Sequence, residues 1–369
     1  MQSADQIISA LADGDGTPEN VAETLGSDIE ALSALEKHLK RDLTIDAIER
    51  VEAAAKLILH RSFAAGVNDA AALSIARFQQ TVGLLFKYKP YAVKCASPLG
   101  YSIFLQNEGE GFSFQRHVTH KTEVFHILSV MPGGYVFLCE YEYWHKVYER
   151  EAFGRWLAGV PDERYDRQLY RPQPGDVFII DRLNVVHTIV GCVVEEFATV
   201  STDMVDRLHD QNARKAIPPY FDRAYATAAL SGIDYPQDSR VVHGWDRSRE
   251  ITPIVANPVA GGSVRVLTDS FVRACHYDIN EHHRGPLLRS AERASSIYVT
   301  GGSGQLVVGA QRSTLTMRVA AGDLLAMAPD VGYRFVNDGS GVLGFSEHQI
   351  AADVAFSPTA QHAVSEESL

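Results

Sequence analysis

Two histidines and a carboxylate fall within seven residues of one another in the stretch Gly111-Phe-Ser-Phe-Gln-Arg-His117-Val-Thr-His120-Lys-Thr-Glu123-Val-Phe-His126. A further histidine, His187, follows Pro174-Gly175-Asp176 and a β-type run. Imidazole together with carboxylate is a ligand set suited to Fe, Mn, Ni, Co or Zn. His117, His120, Glu123 and His187 are therefore the candidate ligands of one divalent metal ion. In a strand of period two, His117 and His120 point to opposite faces, so both reach one ion only if a bulge or turn lies between them. Lys121 and His126 beside these ligands, with Glu140 and Tyr143 beyond them, are the candidates for moving a proton next to such an ion. Gln115 and Arg182, one in each stretch, are the candidates for substrate contact.

The elements that must position these residues begin where the period of the sequence changes. Residues 1–88 carry apolar stripes at three- and four-residue steps and predict helices. Ser27 with Glu30 reads as a capping box ahead of Ile29, Leu32, Leu35, Leu39 and Leu43, and Thr44 and Asn68 as caps of two further helices. From about residue 89 to 212 the pattern turns to short β-type runs, among them Tyr101–Leu105, Thr122–Val130, Gly134–Glu140, Asp176–Ile180 and Val193–Val200. Residues 213–249 read as a connection, 250–356 as a second β-rich block and 357–369 as a tail. Two β-blocks of similar size predict a pair of similar barrels. The segment Cys139–Gln173, rich in Tyr and charge and carrying Trp144, is long enough to form a lid.

Composition narrows the partners. Of the 369 residues 46 are acidic and 34 basic, a net charge of −12, so there is no basic stripe for a nucleic-acid backbone. No run approaches the about 20 apolar residues of a membrane-spanning helix. Met1–Gly16 has neither a basic flank nor a continuous apolar stretch and does not read as a signal peptide. The four cysteines are far apart and suggest neither a zinc knuckle nor a disulfide framework. The expectation is a cytoplasmic protein that meets a small-molecule substrate, with a homodimer left open.

Gly111 with His117 at its spacing, and Gly175-Asp176 followed by Arg182-Leu-Asn184-Val-Val-His187, resemble the two motifs of the cupin superfamily. Asn184 stands where that family often has Gly, because Asn tolerates positive φ. Ser113-x-Gln115-x-His117, His120-x-x-Glu123 and the later run from Glu196 to Asp210 are similar to the cupin domains of mannose-6-phosphate isomerases and related sugar enzymes. That likeness covers about residues 108–212.

The resemblance implies a mainly β bicupin: a helical segment, a metal-binding cupin over 89–212, and a degenerate cupin over 250–356. The family's His-x-His is here His117-Val-Thr-His120, so either His120 takes the second position after a bulge, or Thr119 stands there and three ligands remain. In the second block the run from Gly322-Asp323 resembles the second motif, with Arg334 where the histidine should be. Glu281-His282-His283 is not followed by a Glu where the resemblance would require one, which implies no metal there. Gly301-Gly-Ser-Gly304 reads as a hairpin turn, since no helix or Lys follows it as in a phosphate loop. The implied activity is that of a metal-dependent isomerase or epimerase of a sugar, sugar phosphate or similar metabolite. An Fe(II) dioxygenase and a non-catalytic binding or regulatory bicupin are the alternatives.

Overall fold

The computed structural model describes residues 3–25, 31, 34, 45–82, 86–89, 92–96, 99–118, 121–181, 183–199, 205–209, 233–242, 251–269, 272–309 and 314–351. Among the described residues helices come first, with α1 (Ala4–Asp13), α2 (Pro18–Leu25), α3 (Ile45–Ala65) and α4 (Asp69–Val82). Ser3 and Gln6 form a reciprocal capping box on α1, and Asn68 Oδ1 accepts from Ala71 N at 2.9 Å to cap α4 as its sequence predicts. The expected capping box at Ser27 and Glu30, the cap at Thr44 and the stripe Ile29, Leu32, Leu35, Leu39 and Leu43 lie outside the described residues. Val51, Ala55, Ile58 and Ile75 are buried in one cluster with Ala294 and Ala326 of the C-terminal half. Gln80 Nε2 also donates to Asp323 Oδ2 at 2.8 Å. The helices therefore clothe the second β-module. No described helix is long and apolar enough to cross a membrane.

The first β-module begins with β1 (Phe86–Lys89), β2 (Ala92–Ala96), β3 (Tyr101–Leu105), β4 (Phe114–His117) and the long β5 (Glu123–Glu140). Helices α5 (Tyr141–Val147), α6 (Arg150–Leu157) and α7 (Glu163–Asp166) intervene. It continues through β6 (Leu169–Tyr170), β7 (Asp176–Ile180), β8 (Val185–Ala198) and β9 (Val205–His209). Neighbouring strands run in the order β1, β2, β3, β8, β5, β7, with β4 pairing both β8 and β9. Phe104, Phe125, Ile127, Leu138, Phe178 and Val194, from β3, β5, β7 and β8, fill the interior of this folded sheet. The stretch read as a connection supplies a further strand, β10 (Ser239–Val242), and the start of the block read as the second module adds β11 (Ile251–Ile254) to the same sheet. β10 runs parallel to β7, and Gly175 at φ +91 lets the two chains meet, since a Cβ there would overlap the carbonyl oxygen of Asp238.

The second module holds β12 (Asn257–Val259), β13 (Gly262–Asp269), β14 (Val272–Ile279), β15 (Arg293–Gly301) and β16 (Ser303–Val308). β17 (Leu315–Ala320), β18 (Leu324–Met327), β19 (Tyr333–Val336) and β20 (Leu343–Ala351) complete it. One sheet runs β12-β13-β14-β20-β15-β18 and the other β17-β16-β19. Tyr277, Ile297, Leu306, Met317, Leu325 and Phe345 join them through a single apolar core. The Gly301-Gly302 pair is not the hairpin turn its sequence suggests. β15 and β16 lie in different sheets, and Gly302, at φ 74, swings the chain from one to the other.

The two modules pack back to back. Tyr101, Val124, Val177 and Phe197 of the first form one cluster with Leu267, Tyr298, Leu324 and Ile350 of the second. The segment after Cys139 is not a free lid: Trp144, Phe153, Trp156 and Tyr165 close over Phe114 and Phe137 as an aromatic cap.

Candidate metal centre

β4 enters the first barrel between β8 and β9, and its register sets Gln115 opposite His187. Alternation along β4 then turns Gln115 and His117 to one face and Arg116 to the other. Arg116 lies over the Tyr141 ring at 3.5 Å and donates to Asn184 Oδ1 at 2.7 Å, which ties β4 to the turn before His187. Asn184 itself is at φ 63, the left-handed conformation expected of it. Glu123 opens β5 on the same face as Phe125 and Ile127, the face that fills the barrel.

The result is a compact triad. Glu123 Oε2 lies 2.9 Å from His117 Nε2 and 3.4 Å from His187 Nε2, and all three side chains are buried. Among the described residues it is the one group of three or more His, Cys, Asp or Glu whose ligand atoms gather closely enough for a metal ion, within 4.8 Å of one another. His187 Nδ1 lies 3.1 Å from the Val185 carbonyl oxygen. With the proton on Nδ1, that bond fixes the tautomer and leaves the Nε2 lone pair facing the site, as a ligating imidazole needs. Burial pushes His187 down to about 4, so it is neutral and able to ligate near pH 7. Burial alone would raise the Glu123 carboxyl, but Lys121, His117 and His187 outweigh it and hold it well below the usual carboxylate range. Two imidazoles and a carboxylate converging in a buried space fit a divalent transition metal ion.

The other expected residues divide. Lys121 is brought to the triad: its Nζ pairs with Glu123 Oε1 and lies 3.4 Å from Glu196 Oε1. Gln115 is there too, its Nε2 3.4 Å from His187 Nε2 and its Oε1 accepting from Ser113 Oγ at 3.1 Å. His120, Thr119 and Arg182 lie outside the described residues. His126 is on the opposite face of β5 from Glu123, fully buried and bonded to Glu195 at 2.9 Å. Glu140 is exposed at the end of β5, and Tyr143 donates to the Arg164 carbonyl oxygen at 3.0 Å within the aromatic cap. Glu196 was not expected at the site. Its signal in the sequence is a pair of carboxylates, Glu195-Glu196, inside an otherwise apolar strand.

Strand register also explains why the second barrel differs. The bridges Gly111↔Val190 and β4's Gln115↔His187 have counterparts in Arg284↔Val336 and Leu288↔Tyr333, with the same spacing along the chain. The position of His187 is thus taken by Tyr333, not by Arg334, which alternation turns to the other face. Phe125↔Glu196 on β5 and β8 matches Ile297↔Glu347 on β15 and β20, which sets Ser295 in the place of Glu123. Ser295 Oγ donates to Glu347 Oε1 at 3.0 Å, Gln349 Nε2 donates to the same oxygen at 2.8 Å, and Tyr333 OH also bonds to it. A hydroxyl thus stands for the Glu123 carboxylate and a phenol for the His187 imidazole, beside a Glu347 carboxylate saturated by donors. His282 and His283 are exposed on the loop after β14, away from that interior.

No family model matches the sequence, and neither does any curated protein. Among solved structures the chain is similar to the mannose 6-phosphate isomerase from Bacillus subtilis, at 15% identity over 68% of this chain and 74% of that one, with a TM-score of 0.45. It is also similar to the oxalate decarboxylase from Bacillus subtilis at pH 4.6, at 11% identity over 74% and 75% of the two chains, TM-score 0.43. For the formate complex of the Lactobacillus farciminis oxalate decarboxylase the values are 10%, 73% and 84%, and 0.41.

Proposed function

We propose that the first barrel is a metal-dependent isomerase or epimerase acting on a sugar, a sugar phosphate or a similar small polar metabolite. One observation carries this reading: beside the ligand triad, the Lys121 ammonium is held between two carboxylates, Glu123 and Glu196. His117, Glu123 and His187 would hold a divalent cation, which would supply Lewis-acid polarisation of a carbonyl or hydroxyl oxygen and so acidify the neighbouring C–H. Glu196 would take that proton and return it to the product carbon, while Lys121 gives a proton to one substrate oxygen and regains one from the substrate as the product forms, so both residues end as they began and no oxidant is needed. Gln115, on the same wall, hydrogen-bonds a substrate hydroxyl.

The test is solvent exchange. Metal-loaded protein incubated without oxygen in deuterium oxide with a panel of aldoses, ketoses and their phosphates is expected to place deuterium at a substrate carbon. A panel that shows no exchange would overturn the reading. A second reading, an Fe(II) oxygenase, is favoured by the two-histidine, one-carboxylate composition of the described triad, which leaves positions for O₂. Turnover strictly dependent on dissolved oxygen would select it.

A further inference from the structure

The strand pair β5 and β8 has chemistry on both faces. Its register sets Phe125 opposite Glu196 and, one step along, His126 opposite Glu195. Glu123 and Glu196 face the metal centre, while His126 and Glu195 face the second barrel. There Glu195, fully buried, accepts from Tyr101 OH at 2.7 Å and Tyr235 OH at 2.9 Å, and His126 Nδ1 lies 2.9 Å from its Oε2 and 2.7 Å from Tyr235 OH. Tyr235 in turn accepts from Ser346 Oγ of β20 at 3.1 Å and stacks on His276 of β14, with ring centroids 3.6 Å apart and planes 8° from parallel. Ser346, His276 and Asp278 stand in a row like a hydrolase's relay, at 3.4 and 3.2 Å, but Ser346 is fully buried and gives its proton to Tyr235. The row is a strut.

A buried carboxylate among apolar neighbours is costly, and an apolar interface of equal volume is often at least as stable. What such a cluster adds is geometry, because every member must be satisfied in one arrangement. We propose that Glu195 and Tyr235 are positioning residues through which the second barrel fixes the β5 and β8 backbone and, by it, the spacing of Glu123 and Glu196 in the metal centre. This inference rests on the reading of His117, Glu123 and His187 as a metal site.

The experiment measures Zn²⁺ affinity by chelator competition, together with melting temperature, on the full chain. Tyr235→Phe and Ser346→Ala each delete one hydroxyl at nearly constant volume. Each is expected to weaken Zn²⁺ binding roughly three- to tenfold, short of the about 10- to 100-fold typical of a group bonded directly to a ligand. The double variant should be little worse than either single one, since both act through the same hydroxyl pair. Asn337→Ala is the control for destabilisation alone, because Asn337 bonds the Ile279 and Gly341 carbonyls within the second barrel. It should lower the melting temperature and leave Zn²⁺ affinity as in the wild type. Joint variants that melt earlier yet bind Zn²⁺ like the wild type would overturn the inference while leaving the metal site standing. A wild-type chain that binds no Zn²⁺, Mn²⁺ or Fe²⁺ would remove both.

Discussion

Glu123 divides its two oxygens between two tasks, Oε2 toward a pair of imidazoles and Oε1 toward Lys121. In the proposed reaction Lys121 is thereby the proton donor beside the ligand triad. Lys121→Met is expected to lower turnover by about 10²- to 10⁴-fold while leaving metal content unchanged. Loss of metal in that variant would make the lysine a structural counter-ion. A second residue sets the response to acid. His348 is fully buried against the Phe197 ring, and burial pushes it down to about 3. The unfolded chain takes up a proton below the ordinary value of about 6.5 that the folded chain refuses, so stability falls as pH drops from there toward 3. Between pH 7 and pH 5 this costs about 2 kcal/mol. His348→Leu should lose less stability than the wild type over that interval, read from urea midpoints at the two pH values. Equal losses would contradict the assignment.

At the scale of elements, the turns that deliver the ligands depend on two backbone positions. Gly175→Ala should destabilise by at least about 2 kcal/mol, because β7 and β10 would have to part to admit the methyl group. At the turn before His187, Asn184→Ala should cost about 1 kcal/mol more than Asn184→Gly, since both lose the bond from Arg116 but Gly keeps the left-handed φ at no strain. Urea denaturation measures both. The β-type runs of β3, β5, β7 and β8 and the cap at Asn68 were legible in the sequence because clustered β-branched and aromatic residues and a capping side chain leave local marks. β10 was not, because a four-residue strand carries no more pattern than a linker and is fixed only by its parallel partner β7. Tyr333 was missed in favour of Arg334 for a related reason. Counting from a motif gives a position to within a residue, and in a strand one residue reverses the face.

Over the whole molecule, two barrels of one design have diverged in what their interiors hold. His117, Glu123 and His187 could be read from spacing, since two separate stretches had to supply them. Glu196 could not, because only the register shows which of two adjacent carboxylates faces inward. The division of labour proposed is a metal site at the His117, Glu123 and His187 triad of the first barrel, a closed Ser295, Tyr333 and Glu347 cluster in the second, and helices covering the latter. Elemental analysis of the metal-loaded, desalted chain tests it most directly. The wild type and a His282→Ala, His283→Ala double variant should each hold one divalent ion per chain, and Glu123→Gln and His187→Ala should hold none. Two ions per chain in the wild type, or an undiminished ion in Glu123→Gln and His187→Ala, would contradict the account.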